Sequence, residues 1–107
     1  MIVHVVLFSP RPDLSAADRD KVLEALASAA KGIPSIKRLR VGRRVKHGLP
    51  GYEQMMGDGY EYAVMIEFED LGGLKAYLQH PAHAAAGHHF SASASKALAY
   101  DYDIADL

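Results

Sequence analysis

The chain predicts an α+β fold in which two helical stretches are threaded between four strands in the order β-α-β-β-α-β. Three observations carry this. Apolar residues alternate with polar ones, or run together, in four short β-branched and aromatic segments. Helical spacing governs two longer stretches between them. At 107 residues with half of them hydrophobic, the chain has the composition of one globular domain, residues 1–107, with room for a single core.

Ile2 to Phe8 reads as a strand with apolar residues on both faces. His4 is its only polar side chain, and alternation puts it on one face with Ile2, Val6 and Phe8, directed into an apolar layer. Ser9-Pro10-Arg11-Pro12 stops this strand. Ser15 followed by Asp18 approximates a capping box, and Val22, Leu26, Ala29 and Ile33 follow at helical spacing until Gly32 and Pro34 end the helix. Ile36 to Lys46 alternates, with Leu39, Val41 and Val45 on one face and Arg38, Arg40 and Arg44 on the other.

The basic residues Lys37, Arg38, Arg40, Arg43, Arg44 and Lys46 suggest an anion or RNA surface. A solvated strand face balanced by Glu61, Glu67 and Glu69 on a neighbouring strand accounts for them better, because the net charge is -1 and no aromatic residues are interleaved for base stacking. His47 to Gly59 is glycine-rich and aperiodic, a loop less ordered than its flanking strands and long enough to cover a cavity mouth. Tyr60 to Glu69 alternates again, with Tyr60, Tyr62, Val64, Ile66 and Phe68 on one face.

Leu71, Leu74 and Leu78 then mark a short helix with Asp70 as its N-cap and Tyr77 bordering the apolar stripe. Pro81 suits the first turn of a new helix, so the chain breaks at His80. Ser91 to Ser95 reads as a frayed helix end, and Leu98, Tyr100, Tyr102 and Ile104 alternate with Asp101 and Asp103 in a last strand. The result is a ferredoxin-like split βαβ arrangement with helices on one face of an antiparallel sheet. The other sheet face has to be covered, so two copies should pack through the faces carrying Val6, Phe8 and the even-numbered residues of the third strand.

Several function classes are set aside. The net charge and a pI near 6.6 give no general attraction to nucleic acid or anionic membrane. No run is long enough to span a bilayer, and the apolar start lacks a basic flank and cleavage site, which makes the cytoplasm the default location. The absence of cysteine removes disulfides and thiolate chemistry. Gly57-Asp58-Gly59 and Gly72-Gly73 match no phosphate cradle, and no nucleophile elbow is visible. His80, His83, His88 and His89 invite a metal reading, but no nearby Asp, Glu or Cys completes a set; His88 and His89 are assigned to a solvated or dimer-flank surface, and no metal is expected.

Blocks along the whole chain carry a resemblance. I-V-H-V-V-L-F at the start, a central E-F-E-D-L, A-Y-L-Q-H-P-A-H after it and A-Y-D-Y-D-I near the end are similar to the stress-responsive A/B-barrel (Dabb) family. The resemblance implies a homodimeric α+β barrel. In cyclase members, a histidine on the first strand, the second histidine of H-P-A-H and a tyrosine upstream of it correspond to His4, His83 and Tyr77, which become the candidate catalytic residues. Tyr62 stands where such members carry a histidine, and Leu26 where they carry a tyrosine.

A histidine beside a tyrosine hydroxyl suits proton exchange at a carbonyl compound without a cofactor. Val6, Phe8, Tyr62, Val64 and His80 are the candidate ligand-lining residues. Three readings follow: a binding module with an apolar cavity for a small apolar or aromatic ligand, a cofactor-free cyclase or lyase, and, by analogy of fold alone, a small monooxygenase or haem-handling protein.

Overall fold

The computed structural model describes residues 1–57 and 59–107, so Asp58 of the Gly57-Asp58-Gly59 segment lies outside the described residues. The elements are β1 (Ile2–Pro10), α1 (Ala16–Gly32), β2 (Arg38–Arg43), β3 (Tyr62–Phe68), α2 (Leu71–Leu78), α3 (Pro81–Ser93) and β4 (Ala94–Asp103). The four strands form one sheet in the order β2-β3-β1-β4, with every neighbouring pair antiparallel. This is the ferredoxin-like α+β fold, with the second helical stretch divided in two.

Local chemistry explains the element ends. Ser15 caps α1 by accepting a hydrogen bond from the Asp18 backbone N–H at 3.1 Å. Asp70 does the same for α2 through Gly73 N–H at 2.9 Å. The break between α2 and α3 falls where Pro81 removes a backbone donor, and His80 caps the new helix by accepting from Ala82 N–H at 3.0 Å. α3 passes into β4 without the expected frayed turn. Ser93 Oγ donates to the His89 carbonyl at 2.9 Å, and Ser95 Oγ donates to the Ser9 carbonyl at 3.1 Å, so both serines are engaged where the helix becomes a strand. β1 likewise runs on to Pro10, with a register shift between Ser9 and Pro10.

Register assigns the two sheet faces. His4 lies opposite Ile66 on one side and Asp101 on the other, and Val6 lies opposite Val64 and Ala99. Residues paired across strands share a face, so Phe8, Tyr62, Val64, Ile66 and Phe68 project toward the helices. There they join Val22, Ala29, Ile33, Leu74 and Tyr77 in the core. Each such large apolar side chain contributes roughly 1.5–3 kcal/mol on burial.

This corrects the expected dimer face: the side bearing Val6, Phe8 and the even-numbered residues of β3 is covered by the chain's own helices. The uncovered side carries Val3, Val5, Leu7, Met65, Tyr100 and Tyr102, the two tyrosines being 56% and 54% exposed. A second correction concerns α2, where Leu71 and Leu78 are substantially exposed and the buried pair is Leu74 and Tyr77. With only eight residues, the helix meets the sheet over about one turn, and Tyr77 is on that side.

The basic strand is balanced by Glu67 and Glu69, whereas Glu61, expected to do the same, pairs with a helix residue instead. Arg40 pairs with Glu67 at 3.3 Å and Lys37 with Glu69 at 3.4 Å, while Glu61 pairs with Arg19 of α1 at 2.8 Å. These exposed pairs contribute little stability. The β2–β3 loop contains a short 3₁₀ turn, Glu53–Met55, and the Glu53 carboxylate accepts from the backbone N–H groups of His47 and Gly48.

Candidate active site

His4, Tyr77 and His83 come together in the lining of a cavity of about 360 Å³ between the sheet and the helices. Three local features converge to place them. Strand alternation turns His4 toward the helices. Tyr77 arrives on the last turn of α2, its ring 5.2 Å from that of Phe68 and 5.6 Å from that of His4. The Pro81 break then redirects the chain so that His83, in the first turn of α3, sets its ring edge-on to Tyr77 at 4.6 Å. The rest of the lining is apolar or small: Val6, Val64 and Ile66 from the sheet, Leu26 from α1, and Phe90 from α3.

Asp101 completes the cluster and was not among the residues singled out in the sequence. It stands directly opposite His4 in the β1–β4 register, and its Oδ1 lies 2.6 Å from His4 Nδ1. An ionised carboxylate can only accept, so Nδ1–H donates to it and Nε2 remains as the nitrogen available to the cavity. The Y-D-Y-D alternation of β4 held the signal. Two aspartates on one strand face read as a solvated side, whereas the register puts Asp101 against a histidine that is only 8% exposed.

The titration behaviour of the site follows from burial. Burial first, and the negative charge of Asp101 second, push the Tyr77 phenol up to about 12, so it remains a proton donor through the neutral range. Burial also lowers His83 from its ordinary value. The nearby His4 acts in the same direction, and a Leu78 backbone interaction opposes them weakly. His83 is therefore biased toward the neutral imidazole, a proton acceptor beside a phenolic donor.

The candidate ligand-lining residues divide. Val6 and Val64 line the cavity. Phe8 and Tyr62 lie outside that lining, stacked on one another at 5.2 Å in the core, where Phe90 meets Phe8 edge-on at 4.9 Å. His80 is also outside it, because its ring caps α3. His88 is exposed as expected, but His89 is half-buried, with Nε2 shielded from solvent and without a hydrogen-bond partner. Among the described residues no group of three or more His, Cys, Asp or Glu is placed to hold a metal ion. No helix among them is long and apolar enough to cross a membrane.

A ferredoxin-like sheet with an imidazole- and phenol-lined cavity beneath its helices defines the class. The particular family is the stress responsive A/B barrel domain (Dabb) family, to which this chain belongs, with the family model matching residues 2–104. The chain is 22% identical over 101 residues to olivetolic acid cyclase from Cannabis sativa, covering 94% of each protein. Its fold is similar to that of a hydroxynitrile lyase from Passiflora edulis, with a TM-score of 0.86 at 15% identity over 99% of this chain and 94% of that one. A dimeric ferredoxin-like protein from Jannaschia sp. CCS1 is similar with a TM-score of 0.72 at 26% identity, over 96% and 98% of the two chains.

Proposed function

We propose that the cavity binds a small, largely apolar carbonyl compound, with its oxygen at the His4, Tyr77 and His83 cluster. The observation that carries this reading is the distribution of polarity: three proton-capable side chains cluster together in the lining of an otherwise apolar cavity. An apolar enclosure favours a ligand with hydrocarbon surface to bury, and a few convergent polar groups orient its one polar atom. Tyr77, held protonated, donates to the carbonyl oxygen.

A second reading, turnover without a cofactor as a cyclase or lyase, is favoured by the Asp101 contact to His4. A carboxylate accepting from Nδ1–H fixes the ring's orientation and tautomer, as a general acid–base histidine requires. In a ring closure of the aldol type, a neutral imidazole, His83 in this scheme, takes a proton from the carbon beside one carbonyl. That carbon then bonds to a second carbonyl carbon, whose C=O π electrons move onto oxygen, and the proton is returned to the resulting alkoxide. The names of the similar cyclase and lyase lend this reading support. We further propose a homodimer joined through the uncovered sheet face, where Tyr100 and Tyr102 are half-exposed beside the apolar β1 residues Val3, Val5 and Leu7. The similar Jannaschia protein, described as dimeric, supports it.

A thermal-shift screen across aromatic and polyketide-like carbonyl compounds tests the binding reading. A ligand at a hundred times its Kd stabilises by about 2.7 kcal/mol, enough to raise the melting temperature measurably. Hits are expected to be converted by the wild type but not by His83→Gln if the site turns over, and to bind both without conversion if it only binds. A screen in which no carbonyl compound shifts the melting temperature would overturn the reading.

A further inference from the structure

Small residues, Ala86, Gly87, Ala97 and Ala99, make up part of the cavity lining, and one of them has no packing reason to be small. Gly87 sits inside α3, one helical turn beyond His83, where glycine disfavours the helix relative to alanine. It lines the cavity, its backbone φ is not positive, and a Cβ built on it meets nothing within 4 Å. Neither a turn, a strained backbone nor a close neighbour calls for glycine here. Its lack of a side chain leaves open space, and that space belongs to the cavity.

From the edge strand β4, Ala97 and Ala99 line the same cavity, and both are exposed. Register places Ala99 opposite Val6, two residues along from the His4–Asp101 pair. Small residues of α3 and β4 therefore both contribute to the lining, those of β4 on the edge strand where solvent reaches it. Phe90, whose ring meets Phe8 edge-on at 4.9 Å, also lines it.

We infer that Gly87, together with Ala99 of the edge strand, sets the size of the ligand this cavity accepts, and that its ligand is a carbonyl compound carrying an apolar group wider than one ring. This rests on the carbonyl-binding reading and deepens it. An apolar cavity of about 150 Å³ holds a benzene molecule. The 360 Å³ here exceeds the need of a single ring by more than twofold, and Gly87, where an added Cβ meets nothing within 4 Å, is part of its lining.

The test compares two probes, acetophenone and 2-acetylnaphthalene, which share the methyl ketone and differ by one fused ring. Calorimetry on the wild type is expected to show the naphthyl ketone binding about tenfold more tightly, because the second ring is buried. Gly87→Leu fills the open space with a strong helix former, and Ala99→Val narrows the lining on β4 with a residue suited to a strand. Either variant is expected to bring the affinity ratio of the two ketones to about one or below. The pair keeps the test decisive should one of them fail to fold. A ratio that stays near tenfold in a folded variant overturns the assignment of Gly87 and Ala99 while leaving the carbonyl-binding reading intact. Wild-type protein that binds neither ketone overturns both.

Discussion

Removing Asp101 isolates the contact on which the site's geometry turns. Asp101→Ala leaves His4 Nδ1 without its acceptor at 2.6 Å, in a ring whose side chain is only 10% exposed. A buried polar group stripped of its partner costs about 1–3 kcal/mol. The Asp101 side chain is itself 40% exposed, so water can enter beside the vacated position, and the lower part of that range, about 1–2 kcal/mol, applies. For a domain of this size that corresponds to a melting temperature lower by roughly 5–10 °C.

Asp101→Asn separates charge from hydrogen bonding. Its amide oxygen still accepts from Nδ1–H, so the loss of stability is expected to stay below about 1 kcal/mol. Both variants, however, remove the negative charge that helps raise Tyr77. The Tyr77 phenol is then expected to titrate below the wild-type value of about 12, yet still above its ordinary value of 10.0, because burial is the larger cause. Thermal denaturation gives the first quantity. Phenolate absorbance after a rapid pH jump gives the second, with Tyr77→Phe identifying the signal. If neither variant changes the melting temperature or the highest-titrating tyrosine, the His4–Asp101 pair does not exist in solution and the derivation fails.

Two further outcomes follow from the same structure. His83 titrates lower in the folded chain than its ordinary 6.5, so the unfolded chain binds the extra proton. Stability is therefore expected to fall as the pH drops through 6.5 toward the lower folded value. His83→Gln is expected to flatten that slope in urea denaturation curves taken between pH about 7.5 and about 5.5; an unchanged slope would contradict the burial of His83. Val5→Glu puts a charge on the uncovered sheet face and is expected to give a monomer in sedimentation at concentrations where the wild type is a dimer, whereas a dimer that survives the change would place the interface elsewhere.

Much of this architecture was legible because it is local. The Ser15 and Asp70 caps, the Pro81 break and the two-residue alternation of β1 and β3 each depend on residues close together in the chain, and each lies where its chemistry requires. What escaped depends on pairing. Alternation divides β1 into a face with His4, Val6 and Phe8 and a face with Val3, Val5 and Leu7. Both are apolar, so the pattern alone does not say which one the helices cover. Asp101 escaped for a related reason: only the β1–β4 register shows that it stands opposite His4. His80 was grouped with His83 by proximity in sequence, but at a helix start its ring is committed to the backbone of Ala82. Phe8 and Tyr62 share a face with the cavity residues yet stack on each other in the core instead of lining it, a distinction that alternation does not carry.

The central claim is that His4, Tyr77 and His83 share one small-molecule site. Imidazole and aromatic-ring NMR resonances followed during titration with acetophenone test it most directly. The signals of His4, His83 and Tyr77 are expected to move together along one saturating curve, while those of His47, His80 and His88 stay in place. Saturable binding that leaves His4 and His83 unmoved, or that moves only the histidines outside the cavity, would contradict it.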